Sequence, residues 1–394
     1  MKNIEAPRGR LCFITGEFPP MRGGVGDYTR ELGIALTHLG YEVHVITHVR
    51  AHTADQDERV ASHLHVHPII PRWDSSALHL LIHAIRKIRP RIVHIQYQTA
   101  AYHMHPTINI FPWLLKRGMP NLSTAITYHD LREPYLFPKA GPLRRWITYF
   151  PARQVRWVIA TNREDETLLR SKGIAAVRIP IGPNVHPVPV SAEEVQDWRR
   201  ELGIPDRAAT IGYFGFLNRS KGALELVRAV ALLRERGQDV HLIMLGDPLG
   251  ASDPTNQAYL EEVKQAVTNL GLDTRIHWTG FLDDRGLSLG FAACDVIALP
   301  YRDGASLRRG TLQAALVHGA AIVSTRPRVS EVGADLKEAI LTVEPQDPLA
   351  LAQGIAALLN DPERARRLRE RARALSHTFT WDKIAQRHAE VYEQ

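Results

Sequence analysis

The chain is short of cysteine, of long apolar runs and of clustered metal ligands, and each shortage excludes a class of protein. Its 394 residues hold two cysteines, Cys12 and Cys294, far apart and both in apolar strand-like runs. They read as buried small hydrophobes, with neither a disulfide framework nor zinc spacing. The N-terminal MKNIEAPRGR has no apolar signal core, and nothing approaches the roughly 20 apolar residues a membrane span needs. The reading is a cytoplasmic protein that does not cross a membrane. No His/Cys cluster and no Asp-x-Asp pair at a strand end offers a metal site.

The sequence is otherwise of ordinary globular make-up, 44% hydrophobic and 23% charged. The length suits two domains of roughly 150–200 residues. The formal charge of +7 favours anionic partners, whether nucleotide phosphates or a lipid surface. Nucleic acid is not expected, because the basic residues are scattered and no nucleic-acid motif appears.

Short apolar runs alternate with amphipathic stretches. LCFIT (11–15), YEVHVIT (41–47), LHVHPI (64–69), RIVHIQY (91–97), TAITYH (124–129) and WVIATN (157–162) read as strands, with helical patterns at 27–39, 75–89 and 141–155. After the proline-rich 180–194 the alternation restarts with TIGYFGF (210–216), HLIMLG (241–246), RIHWTG (275–280), DVIALP (295–300) and AIVST (321–325). Near-continuous apolar strands separated by helices predict parallel sheets covered on both faces. The expectation is α/β: two doubly wound Rossmann-like domains, 1–185 and 190–378, with a terminal helix at 379–394 returning to the first. The cleft at the strand C-termini is the expected ligand site.

The first strand runs into GEFPPMRGGVGDY. Glycines let backbone N–H groups approach an anion, and a following helix N-terminus favours it; Gly23 and Gly24 are therefore phosphate-binding candidates. GGVG is not GxGxxG, and the second strand ends without an acidic residue for a ribose, which argues against a nicotinamide-dependent dehydrogenase.

With this turn, the sequence resembles the retaining family 4 glycosyltransferases of GT-B fold. EFPP-x-x-GGVG-x-Y, GYEVHVIT, TYHDL (127–131), GYFGFLNRSKG (212–222), TGFL…AACDVIALPY (279–301), HGAAIVST (318–325) and FTWDKIA (379–385) follow in family order over almost the whole chain. The resemblance implies transfer of a sugar from a nucleoside diphosphate sugar with retention, needing neither metal nor cofactor. The acceptor class stays open among glycans, lipid-linked sugars and small molecules. A non-catalytic nucleotide-sugar-binding protein, an epimerase and a phosphorylase on the same fold are the alternatives.

Carried over by position, His129 matches the family's cleft histidine. Lys221 matches its diphosphate lysine, with Gly215 at the strand end and Arg219 as a second cation. A lysine opening a helix opposes the local dipole and calls for an anion. Two departures stand out. Phe216 occupies the place of a usual arginine, and Ser306 and Ala314 occupy those of a usual glutamate pair. In their stead the loop PYRDGASLRRGTLQAAL brings Arg308 and Arg309 to Gly310 at a helix start. Arginine grips phosphate oxygens bidentately. One of the two is expected to reach the cleft, since successive helical side chains diverge. Asp303, Ser306, Gln313 and Glu331 are candidate ribose or sugar contacts. The basic–aromatic segments FPWLLKRG (111–118) and PLRRWITYFPARQVRW (142–157) suggest peripheral contact with an anionic membrane, at its inner face.

Overall fold

The computed structural model describes residues 8–21, 23–51, 63–131, 141–249, 254–327 and 334–394. The chain divides into two compact units, one formed by Met1–Gly182 with Phe379–Gln394 and the other by Pro183–Thr378.

The first unit holds seven strands: β1 (Gly9–Thr15), β2 (Tyr41–His48), β3 (Leu64–Ile70), β4 (Ile92–Tyr97), β5 (Ser123–Tyr128), β6 (Trp157–Ala160) and β7 (Val177–Arg178). All pair in parallel, in the order β3-β2-β1-β4-β5-β6-β7. Leu11 and Phe13 of β1 face one core layer and Cys12 and Ile14 the other. This is why LCFIT is apolar throughout: alternate side chains point to opposite faces, and both faces are covered.

The second unit repeats the plan with β8 (Ala209–Phe214), β9 (Val240–Leu245), β10 (Ile276–Trp278), β11 (Val296–Leu299), β12 (Ile322–Thr325) and β13 (Leu341–Val343). Its parallel order is β10-β9-β8-β11-β12-β13. Each sheet reverses its winding once, between β1 and β4 and between β8 and β11. Doubly wound sheets bind ligands at the carboxyl ends of strands flanking such a switch point.

Several elements differ from the sequence reading. Cys294 caps the C-terminus of the helix Asp284–Ala293 and does not begin a strand. It is buried, as is Cys12, and burial raises both thiols. The proline-rich stretch gives way at Ala192 to a helix capped by Ser191 and Glu194 in a reciprocal capping box. The helix after the arginine loop runs from Gly310 to Val317, so Arg308 and Arg309 stand before it and not within it.

Candidate functional site

In the second unit a cavity of about 400 Å³ opens at the switch point. Phe214 at the end of β8 forms one wall with Lys221. Arg308, Arg309, Gly310 and Thr311 form another, and Asn184 and Val185 contribute from the segment before the first helix. That segment is held by the His186 N–H donating to Asp284 (3.2 Å) and the Val188 N–H donating to Ser288 Oγ (2.9 Å).

Two glycines explain why the walls meet. Gly215 follows β8 at φ +108°, and a Cβ there would lie 2.5 Å from Thr311 Cγ2 and 3.0 Å from Lys221 Nζ. Gly222 sits at φ +73°, where a Cβ would fall 2.0 Å from the Pro300 carbonyl oxygen. Only glycine combines this backbone with this approach. The Lys-Gly pair therefore presses the turn Arg219–Lys221 against the end of β11, where the Arg302 N–H donates to the Ser220 carbonyl at 2.9 Å.

Lys221 is half-buried, and among the described residues no carboxylate pairs with it; its ammonium lies 5.8 Å from the Phe216 ring centre. Burial, then the nearby Arg309 charge, lowers its pKa to about 8. Arg309 lies 4.2 Å over the Tyr301 ring and pairs with Asp303. The Tyr301 hydroxyl is 2.7 Å from Thr311 Oγ1. Both arginines line the cavity, which corrects the expectation that only one would. Arg309 is the N-cap, with extended backbone (φ −89°, ψ 111°); Arg308 precedes it, so the divergence of helical neighbours does not apply. None of the cavity-lining residues is acidic.

The other candidates are placed differently. Arg219 pairs with Glu262 and stacks 5.2 Å from Tyr259, and it is not among the cavity residues. Asp303 serves Arg309. Ser306 Oγ accepts from the Arg308 N–H at 3.3 Å, and the Gln313 amide donates to the Leu307 carbonyl at 2.7 Å. These contacts shape the loop. Ala314 is fully buried. Glu331 lies outside the described residues.

The switch point of the first unit has another chemistry. The helix Gly24–His38 begins directly after the glycine turn. The Val25 and Gly26 N–H groups donate to Glu17 Oε1 at 3.1 and 3.4 Å. The carboxylate lies where a Gly23 side chain would be, whereas a Cβ on Gly24 would meet nothing. The expected phosphate cradle at Gly23 and Gly24 is thus served by the chain's own anion. Burial raises the Glu17 pKa, against the lowering effect of those two hydrogen bonds.

His129 follows β5 and is buried. Its Nε2 lies 2.9 Å from Gln96 Oε1. Desolvation lowers its pKa to about 3, so it is neutral. With Nε2–H donating to Gln96, Nδ1 is left as an acceptor. Its ring meets Tyr28 edge-on at 4.6 Å. Glu17, Tyr28, Tyr301, Thr311 and Asn184 are participants the sequence reading missed. The acidic residue ahead of the glycine turn was the one available signal.

Among the described residues no group of His, Cys, Asp and Glu could hold a metal ion, and no helix is long and apolar enough to cross a membrane.

The family model "Glycosyl transferases group 1" matches residues 194–375, and "Glycosyl transferase 4-like domain" matches residues 23–184. The D-inositol 3-phosphate glycosyltransferase of Corynebacterium kroppenstedtii is 25% identical over 413 residues, covering 98% of this chain and 90% of that protein. The sucrose-phosphate synthase structure from Thermosynechococcus elongatus superposes with a TM-score of 0.72 at 23% identity, over 98% of this chain and 99% of that one. Anabaena Alr3699/HepE, solved with UDP, gives 0.72 at 18% identity over the same shares, and has also been solved with UDP-glucose. At such identities these structures show the fold.

Proposed function

Because the chain belongs to the family 4 glycosyltransferases of GT-B fold, we propose that its second unit holds the diphosphate of a nucleotide-sugar donor between Lys221 and the Arg308–Arg309–Gly310 turn. One observation carries this reading. A half-buried ammonium with no carboxylate partner among the described residues sits beside an arginine, in a cavity with no acidic wall. An anion is the ligand that relieves such a site. The backbone N–H groups at the start of the helix Gly310–Val317 add to it.

The same groups serve the reaction. Cleavage of the glycosidic bond leaves negative charge on the diphosphate, and preorganised cations stabilise that charge as it develops. The departing phosphate takes the acceptor proton, so no separate base is needed, and the acceptor oxygen attacks from the leaving-group face, giving retention. No metal is required, because Lys221 and the arginines supply the positive charge. His129, neutral and held by Gln96, accepts a hydrogen bond from a substrate hydroxyl. The unit formed by 1–182 and 379–394 serves the acceptor.

Peripheral contact with an anionic membrane is part of the same reading. The helices Thr107–Gly118 and Gly141–Tyr149 contain no acidic residue. Leu143 and Trp146 are 61% and 48% exposed, next in sequence to Arg144 and Arg145. Binding to phosphatidylglycerol vesicles but not to phosphatidylcholine vesicles, abolished by Trp146→Ala with Leu143→Ala, supports it; equal binding to both lipids refutes it.

The testing experiment is incubation with a panel of nucleotide sugars in EDTA, following release of nucleoside diphosphate. One donor should be turned over, slowly to water and faster once an acceptor is present. Turnover that appears only on adding manganese or magnesium overturns the metal-free mechanism. Binding of nucleoside diphosphate that is unchanged in Lys221→Ala overturns the site.

A further inference from the structure

Four buried hydrogen bonds run in series through the first unit, and the donor site uses none of them. The Tyr28 hydroxyl, in the helix Gly24–His38, lies 2.9 Å from His388 Nε2. His388 Nδ1 is 3.5 Å from the Tyr392 hydroxyl. That hydroxyl is 2.5 Å from His94 Nδ1, and His94 Nε2 is 2.8 Å from Thr127 Oγ1. None of the five side chains is more than 2% exposed. His388 and Tyr392 belong to the C-terminal helix Trp381–Tyr392, His94 to β4 and Thr127 to β5.

With both histidines neutral, the series can be ordered from either end. A neutral imidazole donates at one ring nitrogen and accepts at the other, and so relays a hydrogen bond between the hydroxyls on its two sides. Burial keeps both neutral, lowering His388 to about 3 and His94 well below its usual value. A phenol is a stronger donor than an aliphatic hydroxyl. Tyr28 therefore donates to His388 Nε2, His388 Nδ1–H to Tyr392, Tyr392 to His94 Nδ1, and His94 Nε2–H to Thr127. The order is assigned from the partners, as such positions must be.

The Tyr28 end reaches the site. Trp381, on the same C-terminal helix as His388, packs on the Tyr28 ring edge-on at 5.3 Å. His129 meets that ring at 4.6 Å and 81°. The C-terminal helix thus fixes the tyrosine at its hydroxyl and against its ring, and the tyrosine backs the imidazole of His129. Gln96 holds that imidazole from its other side, at Nε2.

We propose that His388 is a positioning residue for glycosyl transfer, holding Tyr28 so that His129 keeps Nδ1 turned to a substrate hydroxyl. The inference rests on His129 as a substrate contact. It makes a residue 360 positions from Tyr28, in the last helix of the chain, part of the machinery of the first unit.

The test compares Tyr28→Phe, His388→Phe, His388→Gln and His129→Ala in the full chain. It measures kcat and KM with the donor selected by the nucleotide-sugar panel, calorimetric affinity for the released diphosphate, and thermal unfolding. Tyr28→Phe and His388→Phe should lower kcat about tenfold per folded molecule, with diphosphate affinity and KM unchanged. His388→Gln, whose amide oxygen can accept the Tyr28 proton, should restore most of the rate. Tyr28→Phe removes a single oxygen and carries the test if His388→Phe does not fold. Wild-type kcat in both phenylalanine variants alongside an impaired His129→Ala overturns the positioning role. A loss of rate that only tracks a loss of folded protein overturns it as well. An unimpaired His129→Ala removes the substrate contact itself and leaves the donor site of the second unit standing.

Discussion

The two sheets reverse their winding in the same way, β3-β2-β1-β4 against β10-β9-β8-β11, yet the two switch points carry opposite charge. In the first unit the carboxylate of Glu17 fills the helix N-terminus and takes its free amide donors. In the second, cations converge on the cavity without a carboxylate in its wall. A helix N-terminus favours an anion wherever it occurs. What differs is whether the chain provides that anion itself. The fold supplies two equivalent crevices, and a few side chains decide which one remains open to a charged ligand.

The largest expected effect separates them directly. Lys221→Ala should weaken nucleoside diphosphate binding by about tenfold to a hundredfold, the ~1.5–3 kcal/mol of a lost charge-assisted hydrogen bond, with an unchanged circular dichroism spectrum. Glu17→Gln should leave that affinity as it was. Calorimetry showing equal losses in the two variants breaks the division of roles.

Next comes the reverse experiment. Glu17→Ala leaves the Val25 and Gly26 donors without their acceptor and should destabilise the protein by about 1–2 kcal/mol, the typical cost of a lost N-terminal cap. Sulfate should recover part of that loss, because the site then lacks its anion. A thermal midpoint in Glu17→Ala that responds to sulfate no more than the parent's does means that the carboxylate was not filling an anion site.

Much of this was legible in the sequence, for physical reasons. Strands buried on both faces have to be apolar at every position, so LCFIT and HLIMLG announce themselves. Lys221-Gly222 was readable because a lysine opening a helix is locally unfavourable and the glycine marks a close approach. What escaped is what depends on partners distant in the chain. Nothing in the sequence near Tyr28 points to His388, and nothing near Arg219 points to Glu262. The arginine loop was misjudged in its helix start: Arg308 and Arg309 stand before the helix, Asp303 neutralises one of them, and Gln313 satisfies a loop carbonyl. Local patterning shows which residues are costly to place, and only the tertiary structure shows what compensates them.

A smaller effect concerns ribose. The cavity wall offers no carboxylate to its hydroxyls, and Ala314 is fully buried. A site that hydrogen-bonds a hydroxyl rejects the analogue lacking it by large factors. Here the 2′-deoxy nucleoside diphosphate should bind within about threefold of the ribonucleotide, since the phosphates carry the recognition. Hundredfold discrimination in a competition assay, with Arg308→Ala and Arg309→Ala both binding normally, means that recognition centres on the ribose.

The smallest effect is a proton count, and it probes the charge that sets the second unit apart. Burial and Arg309 hold the free Lys221 ammonium at about pH 8, below its usual 10.5. A bound diphosphate favours the charged form and raises that pKa. In the window between about 8 and the raised value, the complex then holds a proton that the free protein has lost. Binding must take up protons there, and affinity must fall as pH rises through it. The ligand does not confuse the count, because a terminal phosphate with a pKa near ~6 is fully ionised in this range. At pH 8 the uptake should be roughly half a proton per site, seen as a difference in calorimetric enthalpy between buffers of unlike ionisation heat. Lys221→Arg should abolish it, since a guanidinium stays charged throughout. The first unit has no part in the signal, and Glu17→Gln should leave the count unchanged. If the uptake persists in Lys221→Arg, another group in the second unit is gaining the proton and the lysine is not the cation facing the diphosphate.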